Sequence, residues 1–490
     1  MVAGSNDETD VFYLSASQLA QRIQAGSSTS EYVVGALLER IRAYNGAINA
    51  VVTLAEDSAL REARAADEAV RRGEPLGPLH GVPITVKDTF EVAGLRCTAG
   101  ATEMSHHIPE RHADCVQRMT DGGAIVIGKT NVPAYAGDLQ TNNKIFGCTR
   151  NPHDISRTSG GSSGGSAAAL AAGFAPLEIG SDLGGSNLTP SHFCGVFGHR
   201  PSTGLTSMRG HIPPAPGHLV TVDMEEAGPL ARTADDLELG LRVMGGSDAR
   251  FIVPQVEKLA DFRVGCWFVD SSCPIDSELS QGYSALCKSL VERGARVSEA
   301  RHELLQLNKI LPVYFNLLGS GLTHMLSPIE RAEMQLLSWV GPMLPKLLGL
   351  TRGAQEYPKG AVQSHRAWGL WNEERERMRR QIASLFDDHD VLLTPVNPVV
   401  AIKHDHREPN FLRKLFVNGE RRSYVDQFCW IALPTLLGLP ATSVPIGKTE
   451  CGLPFGVLVV GAPGQDLTTI HFARRLEQAG IAGFQRPHGF

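Results

Sequence analysis

Two glycine-serine segments constrain this chain more than any other feature. The first is Ser159-Gly160-Gly161-Ser162-Ser163-Gly164-Gly165-Ser166, running into Ala167-Ala168-Ala169-Leu170; the second is Gly180-Ser181-Asp182-Leu183-Gly184-Gly185-Ser186. Glycine loses more backbone freedom on folding than any other residue, so this density belongs where backbone must approach something closely or bend unusually. A Gly/Ser loop that opens a helix offers free N–H groups, the geometry of an anion site. A phosphate loop would end in Lys-Ser/Thr, and this one does not. Gly160-x-Ser162-x-Gly164 also matches a nucleophile elbow in form, but Asn151-Pro152-His153-Asp154 argues against the strand that must precede one. A flexible linker accounts for the isolated string equally well. In the second segment, two glycines before Ser186 let successive amides converge on one point, as an oxyanion hole requires, although a plain turn uses the same residues. Glycine reaches 51 of 490 residues, above the usual ~7%, and the excess is concentrated between residues 142 and 204.

The flanking sequence supplies ordinary α/β elements. Ser15-Ala16-Ser17-Gln18 is a capping-box pattern ahead of apolar residues at helical spacing, and Val33, Val34, Leu37, Leu38 and Ile41 continue that spacing. An Ala/Arg/Glu-rich helix over residues 56–72 is ended by Gly73 and Pro75. Short β-branched runs at 82–86 and 124–128 predict buried strands between helices. The first of these closes on Lys87. That lysine is either a surface side chain paired with Asp88 or an amine held in a dry site, where desolvation lowers its pKa and lets it act as a base. Residues 304–350 are Leu-rich and broken by Pro312, Pro328, Pro342 and Pro345, with Phe315, Met325, Trp339 and Met343 among them; they read as packing helices or as a cap over an apolar pocket. Residues 371–382 read as a solvated helix face.

Charge and cysteine usage narrow the function. A net charge of −6 without a basic block excludes nucleic acid as a direct partner. Nine scattered cysteines with no C-x-x-C pair fit neither a disulfide framework nor a zinc site and predict reduced thiols in a cytoplasmic protein. The acidic start MVAGSNDETD is unlike a signal peptide, and no apolar run is long enough for a transmembrane segment. His404-Asp405-His406 reads as an exposed loop near Pro409, and no metal site is expected.

Taken together, the two segments, the upstream GVPITVKD at 81–88, GKTN at 128–131, TNNKIFGCTRNP at 141–152, FCGVFGHRPS at 193–202, LGLPATSVPIG at 437–447 and GLPFGVLVVG at 452–461 resemble the amidase signature family over nearly the whole chain. The resemblance implies one α/β domain spanning 1–490, a single large mixed sheet sandwiched between helices. A catalytic core would lie at 75–245, and a helical apolar region at 300–430 would cover the pocket. It also implies a Ser-Ser-Lys triad: Ser186 as nucleophile, Ser162 as bridging serine after a cis peptide from Gly161, and Lys87 as base. Oxyanion donors would be the amides of Leu183, Gly184, Gly185 and Ser186. Gly161, Ser163 and Asp182 would support the site, and the loop of Ala136, Gly137 and Asp138 would flank the acyl group. No metal or cofactor is implied.

The expected reaction is hydrolysis of a small-molecule hydrophobic or aryl amide. An esterase, a biosynthetic acyltransferase, the ammonia-releasing subunit of a glutamine-dependent amidotransferase and a catalytically impaired binding protein are the alternatives, and a homodimer is compatible with the family. One departure stands out. The family's Ile-Arg-x-Pro-Ala reads Asn187-Leu188-Thr189-Pro190-Ser191 here, and its Lys-Pro-Thr reads Arg200-Pro201-Ser202. Asp182 is therefore expected to lack its usual arginine, so that another donor replaces it, the oxyanion loop shifts, or activity falls.

Overall fold

Eleven strands in the computed structural model form one sheet; the residues described are 11–323, 326–340, 351 and 353–490. In chain order the strands are β1 (Val51–Leu54), β2 (Pro83–Lys87), β3 (Ile125–Thr130), β4 (Leu177–Asp182), β5 (Phe197–Arg200), β6 (Glu226–Ala231), β7 (Arg263–Cys266), β8 (Arg296–Glu299), β9 (Val391–Pro395), β10 (Ala441–Lys448) and β11 (Pro454–Val460). Their spatial order is β1-β3-β2-β4-β6-β5-β10-β11-β9-β7-β8. The sheet is mixed. β3-β2-β4 and β9-β7-β8 run parallel within each group, and the pairs between them are antiparallel. β2, β3 and β4 are buried along their whole length. Helices cover both faces, which is why these strands read as continuous apolar runs rather than as alternating ones.

Local signals match the structure where capping and period agree. The Ser15 capping box forms, opening the helix Ala16–Gln24, and the Ala/Arg/Glu run is the helix Glu56–Arg72, closed by Gly73 at φ +66°. Other readings need correction. A strand, Asp154–Thr158, does precede Gly160, but it pairs with Arg150–Asn151 in a two-stranded ribbon apart from the main sheet. The segment 371–382 belongs to the helix His365–Ile382, whose Arg375, Met378 and Ile382 are buried; Arg375 reaches across to Asp223 at 2.8 Å. Pro312 lies inside the helix Leu307–Leu322 and Pro328 opens the helix Pro328–Val340, whereas Met325, Pro342, Met343 and Pro345 fall outside the described residues. No helix among the described residues is long and apolar enough to cross a membrane.

The first Gly/Ser segment is not a linker. It leads into the helix Gly164–Ala171, buried at every position, which packs against β2, β3, β4 and β6. Small side chains make that approach possible: a Cβ on Gly165 would stand 2.4 Å from the Asn131 backbone nitrogen. A buried acid ties the layers together, since Glu178 of β4 accepts hydrogen bonds from Thr85 on β2, Thr130 on β3 (2.8 Å) and Ser166 on the helix (2.9 Å). Burial pushes its carboxyl up to about 7. Because the atoms facing Gly165 are backbone and cannot rotate away, Gly165→Ala is expected to destabilise the protein by about 1–3 kcal/mol, read as a lower urea midpoint at unchanged slope.

Candidate active site

Lys87 stands at the carboxyl end of β2, fully buried. Its Nζ donates to Ser162 Oγ (2.8 Å) and reaches Ser181 Oγ (2.9 Å) and the Ser181 carbonyl (3.2 Å). Asp88 is not its partner. That carboxylate pairs with buried Lys129 at 3.1 Å and accepts from Thr98, so the surface-pair reading of Lys87 fails. Burial lowers the Lys87 pKa to about 7, against the opposing pull of Glu225, Asp182 and Glu178. An amine poised there is half neutral near pH 7 and can take up a proton.

The two glycine-serine segments meet around this amine. The Gly161–Ser162 peptide is cis, and Gly161 packs so closely on the preceding loop that a Cβ would lie 2.5 Å from the Asp138 carbonyl oxygen. Ser163 links the segments: its amide donates to the Ser186 carbonyl (3.1 Å), and its hydroxyl donates to Asn187 Oδ1 (3.0 Å). Ser186 follows Gly185, which takes φ +86°, a conformation that favours glycine. Its hydroxyl has no hydrogen-bond partner among the described residues and faces a cavity of about 410 Å³.

Asp182 shapes the loop between. Its carboxylate accepts from the amides of Gly185 (3.0 Å) and Asn187 (2.8 Å). The Gly185 amide is thus committed to Asp182, while those of Leu183, Gly184 and Ser186 have no protein acceptor among the described residues. Leu188 brings Asp182 no charge, and the cation beside it is Arg200. Arg200, fully buried on β5, donates from Nη1 to the Asp182 carbonyl at 2.9 Å and lies 3.8 Å from the carboxylate. Leu188 packs instead into an apolar cluster with Met224, Tyr314 and Trp430.

Several neighbours of Lys87 had no signal in the sequence. Ser181 Oγ, besides meeting Lys87, donates to His211 Nε2 at 2.9 Å, because His211 Nδ1 spends its proton on the Pro213 carbonyl at 2.8 Å. Burial and then the charge of Lys87 push His211 down to about 3, so this ring is neutral. Glu225, 3.6 Å from His211, is pushed up to about 8 by burial. Ser181 sits within the motif, but nothing in the string assigns it this contact, and His211 lies 30 positions along the chain.

The cavity is bounded on one side by Ala136, Gly137 and Asp138 and on another by Leu183, Gly184 and Ser186. Asp138 is not a free carboxylate. Arg413 pairs with it at 2.6 Å and Tyr424 donates to it at 2.8 Å, two partners far away in sequence. The remaining wall is mostly apolar, with Phe315, Leu318, Phe411, Val425 and Phe428 prominent beside Gln355 and Asn410.

A family model described as Amidase matches residues 32–470. The chain belongs to the amidase signature family. Among curated proteins this family member is 32% identical to fatty-acid amide hydrolase 2-A of Danio rerio, over 97% of this chain and 90% of that protein. It is 29% identical to a glutamyl-tRNA(Gln) amidotransferase subunit of Moorella thermoacetica, over 98% of this chain and 99% of that one. A solved structure described as an amidase superposes with a TM-score of 0.76 at 28% identity, covering 95% of this chain and 99% of its own. The amidase fold and an enzyme class acting on amide C–N bonds follow from these matches.

Because Arg200 already stands beside Asp182, Leu188→Arg places a second cation in a buried, apolar position. The variant is expected to lose about 3–5 kcal/mol of stability, measured by chemical denaturation; a neutral or stabilising effect would show that Asp182 still lacks a partner.

Proposed function

We propose that this amidase hydrolyses a hydrophobic or aryl amide through an acyl-enzyme on Ser186. The observation that carries the reading is that Ser186 lines a cavity of about 410 Å³ with mostly apolar walls, while Ser163, next to the Ser162 that meets the desolvated Lys87, donates its amide to the Ser186 carbonyl. A serine hydroxyl is a weak nucleophile until a neighbour takes its proton. Ser186 Oγ attacks the amide carbonyl while its proton passes to Ser162 Oγ and the Ser162 proton to Lys87 Nζ. Charge developing on the carbonyl oxygen is met by the amides of Leu183, Gly184 and Ser186, with Gly185 holding the loop through Asp182. Collapse breaks the C–N bond as Lys87 returns a proton through Ser162 to the leaving nitrogen. Water then attacks the acyl-enzyme by the same route in reverse.

Substrate class rests on the walls. Phe315, Leu318 and Phe428 offer area for an acyl chain or aryl ring, and each buried methylene contributes about 0.8 kcal/mol. A zwitterion such as glutamine would find Asp138 already neutralised by Arg413, which supports an apolar substrate over the amidotransferase reading. An ester of matched acyl group and an added amine acceptor separate hydrolysis of amides from esterase and acyltransferase chemistry.

Ser186→Ala is expected to lower kcat by at least about 10³-fold and to abolish labelling by an alkyl fluorophosphonate, with an unchanged circular dichroism spectrum. Substantial labelling or turnover would exclude Ser186 as nucleophile. The pH profile of kcat/KM in the wild type is expected to rise with an apparent midpoint of about 7, since only the neutral Lys87 amine accepts a proton. Lys87→Ala is expected to cost about 10²–10⁴-fold at neutral pH and to recover partly in alkaline buffer. Among acyl anilides, kcat/KM should climb from acetyl to hexanoyl; a flat series would count against the apolar pocket.

A further inference from the structure

The segment after β9 contains His404-Asp405-His406, which reads from sequence as an exposed loop. The structure places it otherwise. Thr158 donates to the Ile402 carbonyl at 2.9 Å, Arg157 bridges to Lys403, and the side chain of Gln140 grips Asp405 at both backbone groups, accepting from its amide (3.1 Å) and donating to its carbonyl (2.7 Å). The chain is thereby pinned on either side of His404. In extended backbone, residues i and i+2 share a face, and the two imidazoles lie together with ring centroids 5.5 Å apart.

A third group faces them from a different part of the chain. Cys148, on the short strand Gly147–Cys148, brings Sγ to 3.3 Å from His404 Nδ1. One ligand atom from each of Cys148, His404 and His406 can be chosen so that all lie within 4.8 Å of one another, and all three residues are half-buried. Independently, His406 Nδ1 is shut off from solvent without a hydrogen-bond partner. A buried ring nitrogen in that condition normally finds a donor, an acceptor or an ion.

We propose that Cys148, His404 and His406 form a binding site for a borderline-soft divalent cation, with Zn²⁺ the best match, and that water completes the tetrahedron. One thiolate and two neutral imidazoles are the donor types such an ion selects over Mg²⁺ or Ca²⁺. A neutral imidazole ligates through its ring lone pair and need not shed a proton. The Cys148 thiol, raised to about 11 by burial, does: its S–H bond breaks, the S–metal bond forms, and the proton leaves to solvent. The acids around the trio are already paired, Asp154 with Arg157, Asp405 with Arg407, and Asp138 and Glu408 with Arg413, so the donor set itself, one thiolate and two imidazoles, is what selects the ion. An ion here would fasten the ribbon region at Cys148 to the segment that carries Asn410 and Phe411 to the cavity wall.

The full-length protein, purified with a chelator and dialysed, would be titrated with Co²⁺ and followed spectrophotometrically. The expected result is saturation at one equivalent with a near-ultraviolet thiolate-to-cobalt charge-transfer band, displaced by Zn²⁺. Cys148→Ser should lose that band, and His406→Gln should lose saturable binding while remaining folded by circular dichroism. Absence of the band in the wild type, or its retention in either variant through another of the thiols, would overturn the site. Activity of the metal-free enzyme plays no part in the readout.

Discussion

A lysine amine buried at a strand end is the constraint on which the rest of this structure turns. An ammonium removed from water without a full complement of partners is strongly disfavoured, so the group either finds an ion pair or gives up its proton. Lys129, one strand away, takes the first course with Asp88. Lys87 takes the second, held by the hydroxyls of Ser162 and Ser181 rather than by a carboxylate in direct contact. Two buried lysines on neighbouring strands thus have opposite characters. The difference is set by which acids stand next to them, and Asp88, adjacent in sequence to Lys87, serves the other one.

The loop after β4 shows how a buried carboxylate is satisfied. Asp182 must be satisfied, because a buried carboxylate lacking donors costs more than most single interactions return. Three backbone amides, from Gly185, Asn187 and more distantly Leu188, meet its oxygens, and Arg200 supplies the positive charge from a different strand. With the cation on β5, position 188 carries an apolar side chain. Leu188 then joins the cluster around Tyr314 and Trp430 that backs the helix Leu307–Leu322, and that same helix sends Phe315 and Leu318 into the cavity.

Elements whose cause lies within a turn or two of chain are legible in the sequence. The helix Glu56–Arg72 carries its own stop signal in Gly73, and β2 and β3 carry theirs in β-branched runs. The mistaken readings share a cause. Arg375 reads as solvated because its partner, Asp223, is 152 positions away. His404 and His406 read as exposed because the chain that shields them, from Cys148 and Gln140, comes more than 250 positions earlier.

From the sequence alone follow the concentration of glycine in the two serine-bearing loops, which permits close backbone approaches, and the α/β class, since the strands are too uniformly apolar to face water. The tertiary structure decided which charges meet. It gave Asp88 to Lys129, Arg200 to Asp182, Arg413 to Asp138 and Ser181 to Lys87 and His211. Backbone conformation is encoded by neighbours in the chain, whereas electrostatic partnership depends on distances that exist only once the sheet has closed.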